Sequence, residues 1–281
     1  MSDDLVLYDV SDRIATITLN RPDVANAQNF ALLDELDAAW TRAAEDDDVK
    51  VIVLRGNGKH FSSGHDIAAA EARKDGQERA TLPSGLTTSV ERIYKVESQR
   101  YIGYSLKWRN IPKPSIAAVQ GVCIAGGLLL AWPCDLIIAS EDAKFSDPVI
   151  TMGIGGVEYH GHTWELGARL AKEILFTARS ISAAEAKSVG MVNRVVPRQD
   201  LDSTTRDLAL TIAMQDAFAL RMAKRAVNHT LDVQGFTTAV QAVFDQHSLA
   251  HGNALSVGGW PVMVDLEKMK AAQAAREGRK G

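Results

Sequence analysis

Two cysteines, Cys123 and Cys134, are all that this 281-residue chain contains, which excludes a disulfide framework and leaves too few thiolates for a cysteine-built zinc site. An excess of one charge is also missing. The formal net charge is −4, so no general field draws the chain to nucleic acid or to an anionic membrane, and any phosphate must be bound locally. No apolar run reaches the length of a membrane span, and the opening MSDDLVLYDV lacks the basic and apolar segments of a secretory signal. A cytoplasmic protein with no nucleic-acid and no membrane partner is therefore expected. No GxGxxG opens a helix, which argues against a dinucleotide fold. Apolar residues, by contrast, make up 46% of the chain, enough to bury one full core without a second independent domain.

Two segments carry the chemistry. Residues 121–131, GVCIAGGLLLA, follow the strand-like run SIAAVQ and read as strand, glycine turn and apolar helix start. Such a junction leaves backbone N–H groups free at a helix N-terminus, where an oxyanion can bind. Residues 51–67, VIVLRGNGKHFSSGHDI, repeat the pattern of strand and small residues, ending in Gly64, His65 and Asp66. Two such donors facing one another would form an oxyanion hole for a carbonyl oxygen.

At these segments the chain resembles the enoyl-CoA hydratase/isomerase (crotonase) family. The likeness extends through NRPDVANA, HFSSGHDI, KPSIAAVQGVCIAGG, CDLIIASEDAKFSDP and SISAAEAKSVGMVNRVV, five motifs in family order over roughly residues 5–200. The resemblance implies an α/β fold, a ββα spiral over 1–198 that binds acyl-CoA, followed by a C-terminal helical region, 199–281, that builds a homotrimer or a hexamer formed as a dimer of trimers. It implies coenzyme A as part of the substrate, no separate cofactor and no metal. Carried over by position, the two donors are the amides of His65 and Gly126, and Ala25, Ala27, Ser63, Asp66, Ile67, Gly127, Pro148 and Val149 join them in binding substrate.

The chain also departs from the family pattern. Family hydratases place one glutamate two residues after the Gly-Gly pair and another directly after the later proline; here those positions read Leu129 and Val149. In hydratases these carboxylates hold the attacking water and deliver the proton, each such role being worth about 100- to 10,000-fold in rate. The thioester clamp is retained while the water-adding pair is not. Enoyl-CoA hydratase-like, isomerase, decarboxylase and non-catalytic acyl-CoA-binding readings all follow from that combination.

Glu158, in MGIGGVEYHGHTWEL, is the candidate base, and burial beside Ile154 and Val157 is expected to raise its pKa; an exposed loop glutamate is the plainer alternative. His65 stands where the family commonly has alanine, and the GHD form resembles methylmalonyl-CoA decarboxylases, so its side chain either faces substrate or only lines the pocket. Asp66 reads as a cap for the following helix. His160 and His162 could ligate a metal with Glu158, but two histidines on a short loop are a weak signal. Cys123 reads as a small buried hydrophobe, since no charged neighbour lowers its pKa.

Along the rest of the chain, LVLYDV and RIATITL read as a hairpin, and Asn29 as the cap of an amphipathic helix to about Glu45. A polar loop is expected over 70–88. One helix is expected over 89–108, burying Tyr94, Tyr101, Tyr104 and Trp108, and others over 126–133 and 166–177. Helices at 199–214, 217–231 and 235–250 follow, the second with a basic face of Arg221, Lys224 and Arg225 that is either solvated or meets a CoA phosphate.

Overall fold

Strand β1 (Val6–Ser11) turns through Asp12 and Arg13, both with positive φ, into β2 (Ile14–Leu19). Two left-handed residues in a two-residue loop match the twist of the paired strands, which is how so short a hairpin closes. The computed structural model describes residues 4–67, 89–263 and 271, so the expected loop at 70–88 lies outside the described residues.

From β2 onward the main sheet is parallel. Its order is β1-β2-β3-β4-β6-β9, with β3 (Val51–Gly56), β4 (Ser115–Val119), β6 (Leu136–Ser140) and β9 (Arg194–Val196). A second sheet, β5-β7-β8, contains β5 (Val122–Ile124), β7 (Lys144–Ser146) and β8 (Ile181–Ser182). The turns β4–β5 and β6–β7 each lay one strand in the first sheet and one in the second before a helix follows. This is the ββα spiral expected from the sequence.

The central strands are apolar on both sides because both sides are covered. On one side α1 (Phe30–Glu45), capped by the Asn29 side chain, buries Leu32, Leu33, Leu36 and Trp40 in the main core. On the other, α7 (Leu201–Ala213) buries Leu201, Ala209 and Ala213 against Val51, Val53, Ile116 and Ile138.

The helix expected over 89–108 is two, α2 (Val90–Arg100) and α3 (Ile102–Arg109), broken at Tyr101, whose ψ of −81° leaves the helical region. Trp108 is buried against Trp40, as expected for a core stripe, whereas Tyr94 stands at the surface on Phe244. The remaining helices are α4 (Gly126–Ala131), α5 (His162–Thr177), α6 (Ala183–Ser188), α8 (Ala217–Val233) and α9 (Phe236–Gly258). Among the described residues no helix is long and apolar enough to cross a membrane.

Candidate active site

Segment 62–66 lies between two others. On one side Gln28 N donates to Gly64 O and Asp66 N to Gln28 O; on the other Ser62 N donates to Val122 O and Ile124 N to Ser62 O. In such alternation the Gly64 carbonyl and Asp66 amide face Gln28, so the intervening His65 N–H faces the opposite way, toward 122–126. Contact there is close: a Cβ on Gly64, which has φ +92°, would stand 2.8 Å from Ile124 O and 3.0 Å from Gly126 N. Only glycine permits that approach.

Ala125 completes the second turn with φ +46° and ψ −110°, conformational strain in a non-glycine residue placed directly before the first residue of α4. The Ala125 amide is used by Ser146 O, but among the described residues neither His65 N–H nor Gly126 N–H donates to a protein acceptor. Gly126 also lies under the His65 ring. A Cβ there would be 2.8 Å from His65 Cε1, 2.9 Å from Nδ1 and 3.0 Å from Gln28 Oε1.

These loops border a cavity of about 280 Å³ whose wall is mostly apolar, including Phe30, Ile124, Val149 and Ile154. Ser63, His65, Asp66, Ile67, Pro148, Val149 and Glu158 reach it. Ala25 and Ala27 stand behind it, their carbonyls accepting from Ser63 N and the Arg21 guanidinium. Gly127 is buried against Ser62 O and Cys123 Sγ. Asp66 is paired with Arg21 at 2.8 Å, and the helix it is expected to cap lies, past Ile67, outside the described residues.

Glu158 is buried, 3% exposed. His65 Nε2 lies 3.3 Å from its carboxylate, and the His65 ring stacks on Tyr101 with centroids 3.9 Å apart. The expected rise in the Glu158 pKa is not found. Burial does push the carboxyl up, but the charges of His65 and His247 and the His65 hydrogen bond outweigh it and bring the value down to about 2. Tyr159 turns away onto Phe236, and His162 pairs with Asp147 at 3.0 Å, so the Glu158, His160 and His162 set is not assembled. Burial pushes the Cys123 thiol far up, as fits an inert core residue. Of the basic face on α8, Lys224 is tied to Asp135 at 2.8 Å, while Arg221 and Arg225 are exposed.

The far wall comes from residues that the sequence reading did not select: Glu97 on α2, His247 and His251 on α9, and Trp260, Pro261 and Val262 beyond it. The legible signal was two histidines four apart, on one face of a helix. Burial lowers His247, but the charges of Glu158 and Glu97 and the Gly156 carbonyl raise it more, to about 9.

Comparison with known proteins shows the family. Residues 9–254 match the family model described as enoyl-CoA hydratase/isomerase. A Mycobacterium tuberculosis protein named as the enoyl-CoA hydratase EchA13 is 41% identical, the match covering 96% of this chain and 90% of that one. A crystal structure described as an enoyl-CoA hydratase from Mycobacterium smegmatis is 66% identical with a TM-score of 0.86, covering 93% of this chain and 99% of that one. An enoyl-CoA hydratase/isomerase structure from Xanthobacter autotrophicus Py2 is 32% identical, with a TM-score of 0.80 and 99% of each chain covered. The protein is an enzyme of the enoyl-CoA hydratase/isomerase family.

Proposed function

We propose that the protein processes an acyl-CoA thioester by forming its enolate, with the His65 and Gly126 amides as the oxyanion hole and one acid–base pair, His65 and Glu158, moving the proton. The observation that carries this reading is the pairing of two unengaged amides with a histidine–carboxylate dyad beside one mostly apolar cavity. Glu158 accepts the Nε2 proton of His65, which leaves Nδ1 as the lone-pair nitrogen beside Gly126; among the described residues Nδ1 has no partner. This refines the sequence reading, since a carboxylate held so low is better suited to orienting His65 than to acting alone.

One pair that removes a proton from carbon and returns it at another position accounts for double-bond isomerisation. Nδ1 takes the proton, the thioester oxygen gains negative charge at the two amides, and the same nitrogen reprotonates the carbon chain. Hydration needs a second group to hold water. The positions that supply it in hydratases are Leu129, buried in the core, and Val149, an apolar part of the wall. Coenzyme A enters as part of the substrate. Assembly as a trimer or hexamer through the helices after 199 is supported by apolar side chains exposed in the single chain, among them Met214, Phe218, Val227 and Leu249.

The test is incubation with 2-enoyl- and 3-enoyl-CoA in heavy water, following isomer ratio and deuterium uptake by mass spectrometry. Interconversion with deuterium uptake is expected, reduced about 100- to 10,000-fold in His65→Ala and Glu158→Gln. Unchanged turnover in both variants removes the dyad. Absence of acyl-CoA binding by calorimetry removes the whole reading, and hydration as fast as that of a two-glutamate hydratase removes the single-pair assignment.

A further inference from the structure

His247 and His251 sit one turn apart on α9 and face Glu97 of α2, and all three are buried on the cavity wall. The outer nitrogen of each ring is fixed by a backbone carbonyl: His247 Nδ1 donates to Gly156 O at 2.7 Å and His251 Nδ1 to Pro261 O at 2.6 Å. With each Nδ1 turned to a carbonyl, the Nε2 atoms converge to 3.0 Å, and loss of the Nε2 protons on metal binding would leave both lone pairs facing one point. An N–H to backbone carbonyl bond behind each ring is the arrangement that orients metal-ligating histidines.

The Glu97 carboxylate completes the set. His251 Nε2 lies 3.4 Å from Glu97 Oε1, and His247 Nε2 lies 3.5 Å from Glu97 Oε2 and 3.6 Å from Glu158 Oε1. These are long for N–H to oxygen bonds, whose usual range is about 2.7–3.2 Å. Donors held about 2.0–2.1 Å from one zinc ion in a tetrahedron stand about 3.3 Å from one another. The imidazole pair at 3.0 Å and the approaches of 3.4 and 3.5 Å, one to each Glu97 oxygen, lie near that edge, and one ligand atom from each of the three residues falls within 4.8 Å of the other two. Glu97 Oε2, on a side chain about nine-tenths buried, has no hydrogen-bond partner among the described residues, although it points into the set.

We infer that Glu97, His247 and His251 form a binding site for a divalent transition-metal ion of the zinc class, bordering the acyl cavity with Glu158 beside its fourth position. Two imidazoles and one carboxylate select zinc or cobalt over magnesium or calcium, which prefer all-oxygen sites. The ion would neutralise two buried carboxylates that otherwise share the wall with only three imidazoles. An oxygen-bearing acyl group in the cavity could reach its open position. The three ligands are not part of the thioester machinery, which uses the two amides and the His65–Glu158 pair; Glu158 alone is shared, as a neighbour of the fourth position.

Tag-free protein, stripped with a chelator and dialysed, is titrated with zinc against a chromophoric competitor and with cobalt by visible absorption. One equivalent per chain is expected, with cobalt giving a ligand-field band, and magnesium failing to compete. His251→Ala and Glu97→Gln should each weaken zinc at least about 100-fold and abolish the cobalt band while retaining the wild-type circular dichroism. Should His251→Ala misfold, the near-isosteric Glu97→Gln decides alone. Failure of the wild type to bind stoichiometric zinc or cobalt, or equal binding by the folded variants, overturns the site. Loss of acyl-CoA turnover with metal binding intact counts against the thioester reading instead.

Discussion

Gly126→Ala separates the geometry of the site from the stability of the fold. Its added Cβ would meet His65 Cε1 at 2.8 Å, His65 Nδ1 at 2.9 Å and Gln28 Oε1 at 3.0 Å. Ordinary contact is about 3.5–4.0 Å, so the His65 ring must retreat by the better part of an ångström. All three obstructing atoms belong to side chains that can move, so the folding penalty stays near the low end of overpacking, about 1 kcal/mol. The catalytic penalty is larger, because a misplacement of about 1 Å can cost about 100-fold. Gly127→Ala makes the contrast, since its Cβ would strike the Ser62 backbone carbonyl at 2.8 Å, which cannot yield so easily. That variant should lose about 3 kcal/mol. Gly155, where a Cβ has nothing within 4 Å, provides the control. Deuterium uptake into acyl-CoA and urea unfolding are measured on all three. If Gly126→Ala keeps kcat within about threefold of wild type, the His65 ring has no positional role and the dyad reasoning fails.

Three further outcomes are expected. Asn29→Ala removes the 2.8 Å bond from Leu32 N to the Asn29 side chain and should cost about 1 kcal/mol in urea unfolding; no change would mean the α1 start is held by tertiary contacts alone. Trp40→Ala empties a fully buried position stacked on Trp108 and should cost about 3–5 kcal/mol, with a loss below about 1 kcal/mol contradicting the packing. Cys123 and Cys134, both buried with thiol pKa values pushed up, should resist a thiol reagent in the native protein and react in urea; rapid native labelling would show that the core opens.

Much of the spiral was legible because its signals are local. The Asn29 cap, the alternation of β2 and the continuous apolar run of β3 each report on a few neighbouring residues. The break at Tyr101 was not legible: helical spacing continues through it, and the change in direction is accompanied by stacking on His65, 36 positions away in the numbering. Glu158 was found on the cavity wall, but the direction of its pKa shift was misread because burial was weighed without the imidazoles supplied by distant segments. The far wall was missed for a related reason. His247 and His251 occupy one face of an amphipathic helix whose destination no periodicity encodes, and their Nε2 atoms acquire meaning only once α2 brings Glu97 against them.

The most direct test of the central claim is the carbonyl stretch of a bound enoyl-CoA carrying carbon-13 at the thioester carbon, read by isotope-edited infrared difference spectroscopy. Two amide donors on one oxygen polarise that bond, so the band should move to lower frequency in the complex. In Gly126→Ala, where the crowded His65 ring disturbs the pocket, it should return toward its value in water. A saturated complex whose band stays at the aqueous position would mean that the His65 and Gly126 amides do not hold the carbonyl.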